Sequence, residues 1–370
     1  LGFNNQAALF PMSTFNGSES HNEWELSFGE VHRNGMVAFA IYNYIRYTGD
    51  ESYMAEYGLR VLLSIARFWA QRVSVSDEKK KYVILGVVGP NGYESNVNNN
   101  WFTNYIACWC LKYTIESLEA VKTSNFVAYE DLTKEYDFSL NEIKLWKEII
   151  NNMYFQENKK SALFIQQGGY LDKTLIKATD IPLSQLPVNQ HWTWDKIVRS
   201  SVIKQADVVQ GLYFFEDHFD QQTIATNFNF YEPLTVHESS ISASIHSIVA
   251  NAIGENKRAY DLYLRTARLD LDDYNNEVAE GLHITSMAGT WLAIVQGFGG
   301  LRVRNGKLSL KPHIPEKWIS FAFNIRFRTN QLNIRIEKER VIIQNIEGNT
   351  ILLEVNGKEY VVEAGKHTEI

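Results

Sequence analysis

The sequence predicts a mainly α fold. A helical domain, with buried helices suited to the inner ring of a barrel, should be followed by a small antiparallel β-sandwich. Three observations lead there. Apolar residues recur at helical spacing from about residue 29 to 295. Several of the later helical runs are apolar on most faces, as in SASIHSIVANAIG and MAGTWLAIVQGFG, so they should be buried on more than one side. After GFGGLRVRNG the period drops to two. Helices and strands in separate blocks mean separate domains, which places the boundary near Gly300: 1–299 helical, 300–370 sheet.

The elements follow in chain order. VHRNGMVAFAIYNYIRYTG reads as a helix stopped by Gly49, and ESYMAEYGLRVLLSIARFWAQRV and WFTNYIACWCLKYTIESLEAV repeat the pattern. Further helices are expected over 140–153, 199–215, 239–253, 256–268 and 281–296. The stretch 155–198 lacks periodicity and carries Gly168, Gly169, Pro182 and Pro187. Such a segment is either site-forming or an insertion. KLSLKPHI, FAFNIRFR, QLNIRIEKE, RVIIQNIEG, TILLEVNG and KEYVVEAG alternate apolar and polar residues between turn signals, as sheet strands do.

Composition narrows the function. The chain has 370 residues, 45% of them hydrophobic, which is enough for a large core. A net charge of -7 argues against nucleic acid or an anionic membrane as the main partner, since both need a basic face. No apolar run reaches the ~18 to 20 residues that span a bilayer. The two cysteines, Cys108 and Cys110, give neither a disulfide framework nor a zinc cluster, and suit a reducing cytoplasm. The chain starts at Leu1 without a signal peptide and in mid-pattern, and is expected to be part of something longer. Aromatic residues make up 13%, either as ordinary core rings or as platforms on which sugars stack.

Four polar clusters stand out. NGSESHNEWELSFGEVHRNG holds Glu19, His21, Glu23, Glu25, Glu30 and His32. It reads either as a site or as a solvated loop entering a helix capped by Asn22 or Ser27. GPNGYESNVNNN, residues 89–100, is a loop crowded with turn formers and amides. In VIKQADVVQGLYF, Lys204, Gln205 and Asp207 interrupt an otherwise apolar helix, as a Lys204–Asp207 pair or as ligand contacts. In TVHESSISASIHSIVA and EGLHITSMAGTW a histidine precedes hydroxyls at a helix start: His237, Ser239 and Ser240, then His283, Thr285 and Ser286, with Gly289 after. Free N–H groups, hydroxyls and an imidazole there can hold an oxyanion, although ordinary helix capping uses the same residues.

Inverting cleavage of a glycosidic bond needs an acid on the leaving oxygen and a nucleophile on the opposite face. Inorganic phosphate, as nucleophile, brings its own charge and needs an anion pocket instead of a second carboxylate. A plain hydrolase would need that second carboxylate, which would compete with an anion for the pocket.

HNEWELSFGEVHRNG, GPNGYESNVNNNWFTN, KQADVV, YEPLTVHESS and EGLHITSMAGTWLAIVQGFGG together resemble glycoside hydrolase family 65, the disaccharide phosphorylases. The match is collinear over nearly the whole chain. It is densest, in SNVNNNW and ARLDLDDYNNE, toward the branch that acts on maltose. The resemblance implies an (α/α)6 barrel, here partial because its first helices are missing, ahead of the β-sheet domain. It implies cytoplasmic homodimers that use a disaccharide and phosphate, with no metal or other cofactor, and that release β-glucose 1-phosphate. Trehalose and kojibiose are the alternative substrates.

The resemblance also assigns residues. It implies a phosphate pocket at His237, Ser239, Ser240, His283 and Ser286, and a sugar-and-phosphate lining at Lys204 and Gln205. The family's loop reads Gly-Pro, then Asp or Asn, then Glu, then Tyr, and that Glu is the general acid. This sequence has Gly92 there. Glu94 stands two positions on, displaced by several ångströms against a tolerance of under about 1 Å for a positioned group, which makes it a poor substitute. GSES and Gly29 also depart from the family pattern, which tends to GEEC and Glu. The expectation is a phosphorylase descendant that is inactive or nearly so. The rival is a catalytically silent carbohydrate- or phosphate-binding protein. With barrel helices missing, uncovered apolar faces should make the chain poorly soluble alone.

Overall fold

Apolar spacing becomes helix wherever one face can be buried. The computed structural model describes residues 3–20 and 26–370, so His21, Asn22, Glu23 and Glu25 of the first polar cluster lie outside the described residues. The long helices are α1 (Arg33–Thr48), α2 (Leu59–Arg72), α3 (Trp101–Ser124), α4 (Phe126–Glu135) and α5 (Leu140–Asn152). Then come α6 (Val208–Phe214), α7 (Gln221–Tyr231), α8 (Ser242–Ile253), α9 (Asn256–Ala267) and α10 (Ile284–Leu292). The chain divides into two compact units. The first comprises the chain to Ile45, Asp50–Ile181 and Trp192–Ile203; the second comprises Arg46–Gly49, Pro182–His191 and Lys204–Ile370.

In the first unit α2 packs on α3, and α3 on α4 and α5. α2 buries Leu59, Leu62, Leu63, Ile65, Ala66, Phe68 and Trp69, and each large side chain removed from water contributes about 1.5 to 3 kcal/mol. Buried Arg67 joins α2 to α5 through a two-pronged pair with Glu142, at 2.8 and 2.9 Å, and donates to the carbonyls of Asn5 and Tyr136. Cys110 is buried and Cys108 partly so, and burial pushes the Cys108 thiol up to about 12.

In the second unit α8 touches α6, α7, α9 and α10, and Ser242 through Ala250 are all buried, as its all-round apolar sequence requires. α10 behaves differently. Its Ser286 and Gly289 are buried, and a Cβ on Gly289 would lie 2.7 Å from Ser244 Oγ of α8, so the two backbones approach closely. Its opposite face, however, is open to solvent, contrary to the expectation of burial on several sides.

The sheet region holds β1 (Arg302–Arg304), β2 (Lys307–Leu310), β3 (Ser320–Phe327), β4 (Asn330–Glu337), β5 (Val341–Glu347), β6 (Ile351–Val355), β7 (Lys358–Val362) and β8 (His367–Glu369). One sheet runs β7-β6-β2-β1 and the other β8-β5-β4-β3. Their alternating inward residues share one core, with Leu308, Leu310, Leu353 and Val355 from the first and Leu332, Ile334, Ile336 and Ile343 from the second. One pair departs from the antiparallel expectation: β6 lies parallel to β2, with Leu353 opposite Leu308. Local turn signals dictate only chain neighbours. These two strands are joined through β3–β5, a connection long enough for parallel pairing.

Three helix expectations change. α4 and α7 were not expected; α7 is rich in aromatic and β-branched residues but is capped by Asp220, whose Oδ1 accepts from Thr223 N at 2.7 Å. The expected helix over 199–215 shrinks to α6. Residues 199–201 are extended because Thr174 N donates to Arg199 O and Ser201 N to Thr174 O, each at 3.0 Å. Lys204, Gln205 and Asp207 therefore precede the helix rather than interrupt it. Among the described residues no helix is long and apolar enough to cross a membrane.

Candidate functional site

In the first unit, the amide loop is closed at its base by Val87 and Val97, which exchange two backbone hydrogen bonds of 2.9 Å. Three of its asparagines are spent on main chain. Asn98 Oδ1 accepts from Gly86 N at 3.0 Å and Asn99 Oδ1 from Ile84 N at 3.2 Å. Asn100 caps α3, accepting from Thr103 N at 2.9 Å and from its hydroxyl at 2.8 Å. The loop base also receives two neighbours. His32 Nδ1 lies 3.2 Å from Val88 O, and burial is the chief cause that lowers its pKa to about 4. Gly29 accepts from Val88 N at 2.9 Å, and a Cβ on it would come within 2.8 Å of the Val88 side chain. Gly29 is thus closely packed on the loop. Glu19, in GSES, accepts from Met12 N and Ser13 N.

At the centre of this loop Gly92 has φ +73°. That is the left-handed region, where a Cβ costs roughly 1 to 2 kcal/mol. Glu94 is 3% exposed, and its Oε1 accepts from Lys173 Nζ at 2.6 Å. The ammonium sits 5.7 Å from the ring centre of Tyr170, whose hydroxyl donates to Ser201 O at 2.9 Å. Glu94 is therefore tied down by a cation on one of the two oxygens that a proton donor would use. The sequence had offered nothing to single out Lys173, which lies 79 residues away.

The remaining site residues belong to the second unit. His237 stands in a turn with φ +56°, a strained conformation for a non-glycine residue. Its surroundings overdetermine that turn. Glu238 N donates to Lys204 O at 3.0 Å, Glu238 Oε1 accepts from Val188 N at 2.7 Å, and Arg265 donates to the carbonyls of Val236 and His237. The KQAD segment is thus bound to the HESS turn. His237 Nδ1 lies 2.8 Å from Ser242 Oγ, and its Nε2 is 3.9 Å from Glu232, which pairs with Arg258. The ring of His246 meets His237 edge-on at 4.7 Å. Both nitrogens of His246 and Nε2 of His237 are buried and have no hydrogen-bond partner among the described residues. Burial first, with Arg265 and Arg258 adding for His237, holds both imidazoles well below their usual range, so both are neutral at pH 7.

The two histidine-and-hydroxyl helix starts come together: the hydroxyls of Ser240 and Thr285 are hydrogen-bonded, and α8 and α10 touch at Ser244 and Gly289. Ser239 is partly exposed beside Ser240. His283 is engaged differently from His237. Its Nδ1 is 2.5 Å from Asp270 Oδ1, its backbone N–H donates to Asp270 Oδ2, and its Nε2 is 3.6 Å from Glu277. The hydrogen bond from His283 is the largest cause that lowers the Asp270 pKa. Ser286 Oγ donates to His283 O at 2.9 Å. Glu232, Arg258, Arg265, His246, Asp270 and Glu277 were not singled out in the sequence; Arg258 and Arg265 reach partners 26 and 29 residues away, and Asp270 one 13 residues away. Among the described residues no three side chains gather as metal ligands.

A sequence signature described as the glycosyl hydrolase family 65 central catalytic domain matches residues 3–292, and that family's C-terminal domain matches residues 301–362. The chain belongs to glycosyl hydrolase family 65. Within the family it is 48% identical to the maltose phosphorylase of Bacillus subtilis (strain 168), over 97% of this chain and 46% of that protein. It is 34% identical to the α,α-trehalose phosphorylase of Thermoanaerobacter brockii, over 98% of this chain and 47% of the relative. A solved structure described provisionally as a kojibiose phosphorylase from the human microbiome superposes with a TM-score of 0.90. It shares 35% identity and covers 98% of this chain and 53% of that one. The chain thus spans about half the length of the relatives it matches.

Proposed function

We propose that this chain carries the phosphate-handling part of an inverting α-glucoside phosphorylase whose disaccharide is maltose. Phosphate is the co-substrate, no metal takes part, and the products are β-glucose 1-phosphate and glucose. The carrying observation is the junction of two helix starts through Ser240 and Thr285, beside a buried His237 with an unpartnered Nε2. Free N–H groups, hydroxyls and neutral imidazoles form a donor-rich wall for an oxyanion. In this reading His237, Ser239, Ser240 and Ser286 bind phosphate, and Lys204 and Gln205 line the sugar side. His283, held by Asp270, serves by orienting its helix start. The identity to a maltose phosphorylase favours maltose over trehalose or kojibiose. A cytoplasmic homodimer, with a helical catalytic part to 299 and a sheet part from 300, completes the proposal.

The acid is the missing part. Gly92 stands at the loop position where the family pattern has Glu, and Glu94 is occupied by Lys173. Losing a general acid lowers rates typically ~10²- to 10⁴-fold. The chain is therefore a phosphorylase inactive or nearly so, and a silent carbohydrate- or phosphate-binding protein is the second reading that this same loop favours. Calorimetry with phosphate, combined with an assay of glucose 1-phosphate released from maltose, tests both parts. Phosphate binding without turnover is expected. Turnover near that of the relatives would sink the assignment of Gly92, and absence of phosphate binding would sink the anion wall.

A further inference from the structure

Within the second unit, helices and sheet together line an open cleft of about 920 Å³. One wall comes from the turn after α6, the start of α7 and the end of α8; the other comes from β1, the turn after β2 and the turn after β6. Backbone bonds hold the walls in place. His313 N donates to Phe298 O at 2.7 Å and Lys311 N to Gly300 O at 3.3 Å, tying the chain beyond β2 to the end of the helical part. Asn356 N donates to Leu310 O at 2.9 Å and fixes the turn after β6.

Charge in this cleft cancels. Arg302, Arg304 and Lys311 are balanced in number by Glu216, Asp217 and Glu354. Both guanidiniums are moreover engaged by one carboxylate, with Glu216 at 2.7 Å from Arg302 and 3.2 Å from Arg304. Burial holds His313 below its usual range, so its ring adds no charge at pH 7. Such a lining has no field that selects an anion. It offers amides instead: Gln221, Asn251, Asn256, Gln296 and Asn356. A side-chain amide both donates and accepts, as a hydroxyl does, so a row of amides matches a row of hydroxyls. Phe219 and Pro312 add flat apolar faces, which suit the C–H face of a pyranose. We infer that this cleft is a second carbohydrate site, which takes a neutral oligosaccharide. Its volume lies toward the upper end of the roughly 300 to 1,000 Å³ of small-molecule sites, which favours several linked sugars over one. It shares no lining residue with the proposed phosphate wall. Only the choice of an α-1,4-linked probe rests on the proposed function.

Titrating maltotetraose into this chain, followed by NMR of the side-chain amides, tests it. The signals of Gln221, Asn256 and Asn356 should shift together and report one dissociation constant. Gln221→Ala and Asn356→Gly should each weaken binding about three- to tenfold, as the loss of one neutral hydrogen bond does. Both side chains are exposed, and glycine suits the positive φ of Asn356, so the fold is spared. Lys204→Ala, on the proposed sugar side of the helix starts, should leave the shifts intact, which reads this cleft separately from the proposed function. Inorganic phosphate alone should move none of the three signals. No shift with maltotetraose, binding indifferent to both amide substitutions, shifts lost with Lys204→Ala, or shifts reproduced by phosphate would each overturn the inference.

Discussion

The amide loop and the paired helix starts use similar residue types to opposite ends. In the loop, Asn98, Asn99 and Asn100 each serve a backbone N–H, and Glu94 serves Lys173. At the helix starts, the nitrogens of His246 and Nε2 of His237 are buried with no hydrogen-bond partner among the described residues. A buried polar group without a partner typically forfeits about 1 to 3 kcal/mol. Polarity alone separates the two regions poorly. What separates them is whether the fold has already spent its hydrogen bonds.

The comparison can be broken first at Gly92. Gly92→Glu, tested in a polypeptide of the relatives' full length, should raise phosphorolysis by ~10²- to 10⁴-fold if only the acid is absent. The gain should fall in the lower part of that range, since the new side chain starts in a strained φ. An unchanged rate would mean that the loop has drifted beyond repair by one residue.

Acid sharpens the contrast next. His32, His237 and His246 are all held neutral in the folded state, so their stability is present above about pH 6.5 and is lost as pH falls toward their folded values. For His32, moving from 6.5 to about 4, the loss is roughly 2 kcal/mol after allowing for its partial exposure. Denaturant melts between pH 7 and pH 4 should show falling stability, and a flat profile would contradict the burial of these rings.

Within the loop, Asn100→Ala should lower stability by about 2 kcal/mol, because it removes a helix cap and leaves buried partners unmet. At the helix starts, His246→Leu should leave stability unchanged or raise it by about 1 to 3 kcal/mol, since no hydrogen bond is lost and two unpartnered nitrogens are removed. Chemical denaturation of both variants checks the pair. If His246→Leu proves the more damaging, the imidazole has a partner and the distinction between spent and spare groups fails.

Much was legible in the sequence. The alternation in QLNIRIEKE placed Leu332, Ile334 and Ile336 inward, because pleating fixes the side-chain period at two. SASIHSIVANAIG marked a helix buried all round, and α8 is one. The histidine, serine and threonine motifs were recognisable as a set, and α8 and α10 do bring Ser240 and Thr285 together. The length of the 199–215 helix misled, because extended pairing to Thr174 outweighs local propensity there.

By itself the sequence determined most of the helices and strands, the change of period near Gly300 and the family motifs. These depend on spacings of two to four residues along one chain. Only the tertiary structure decided that Lys173 holds Glu94, that β6 runs parallel to β2, that Asn98, Asn99 and Asn100 are spent on main chain, and that one face of α10 stays bare. Hydrogen-bond partners and burial are set by residues tens of positions apart, whose meeting is fixed by how whole elements pack and leaves no mark on local pattern.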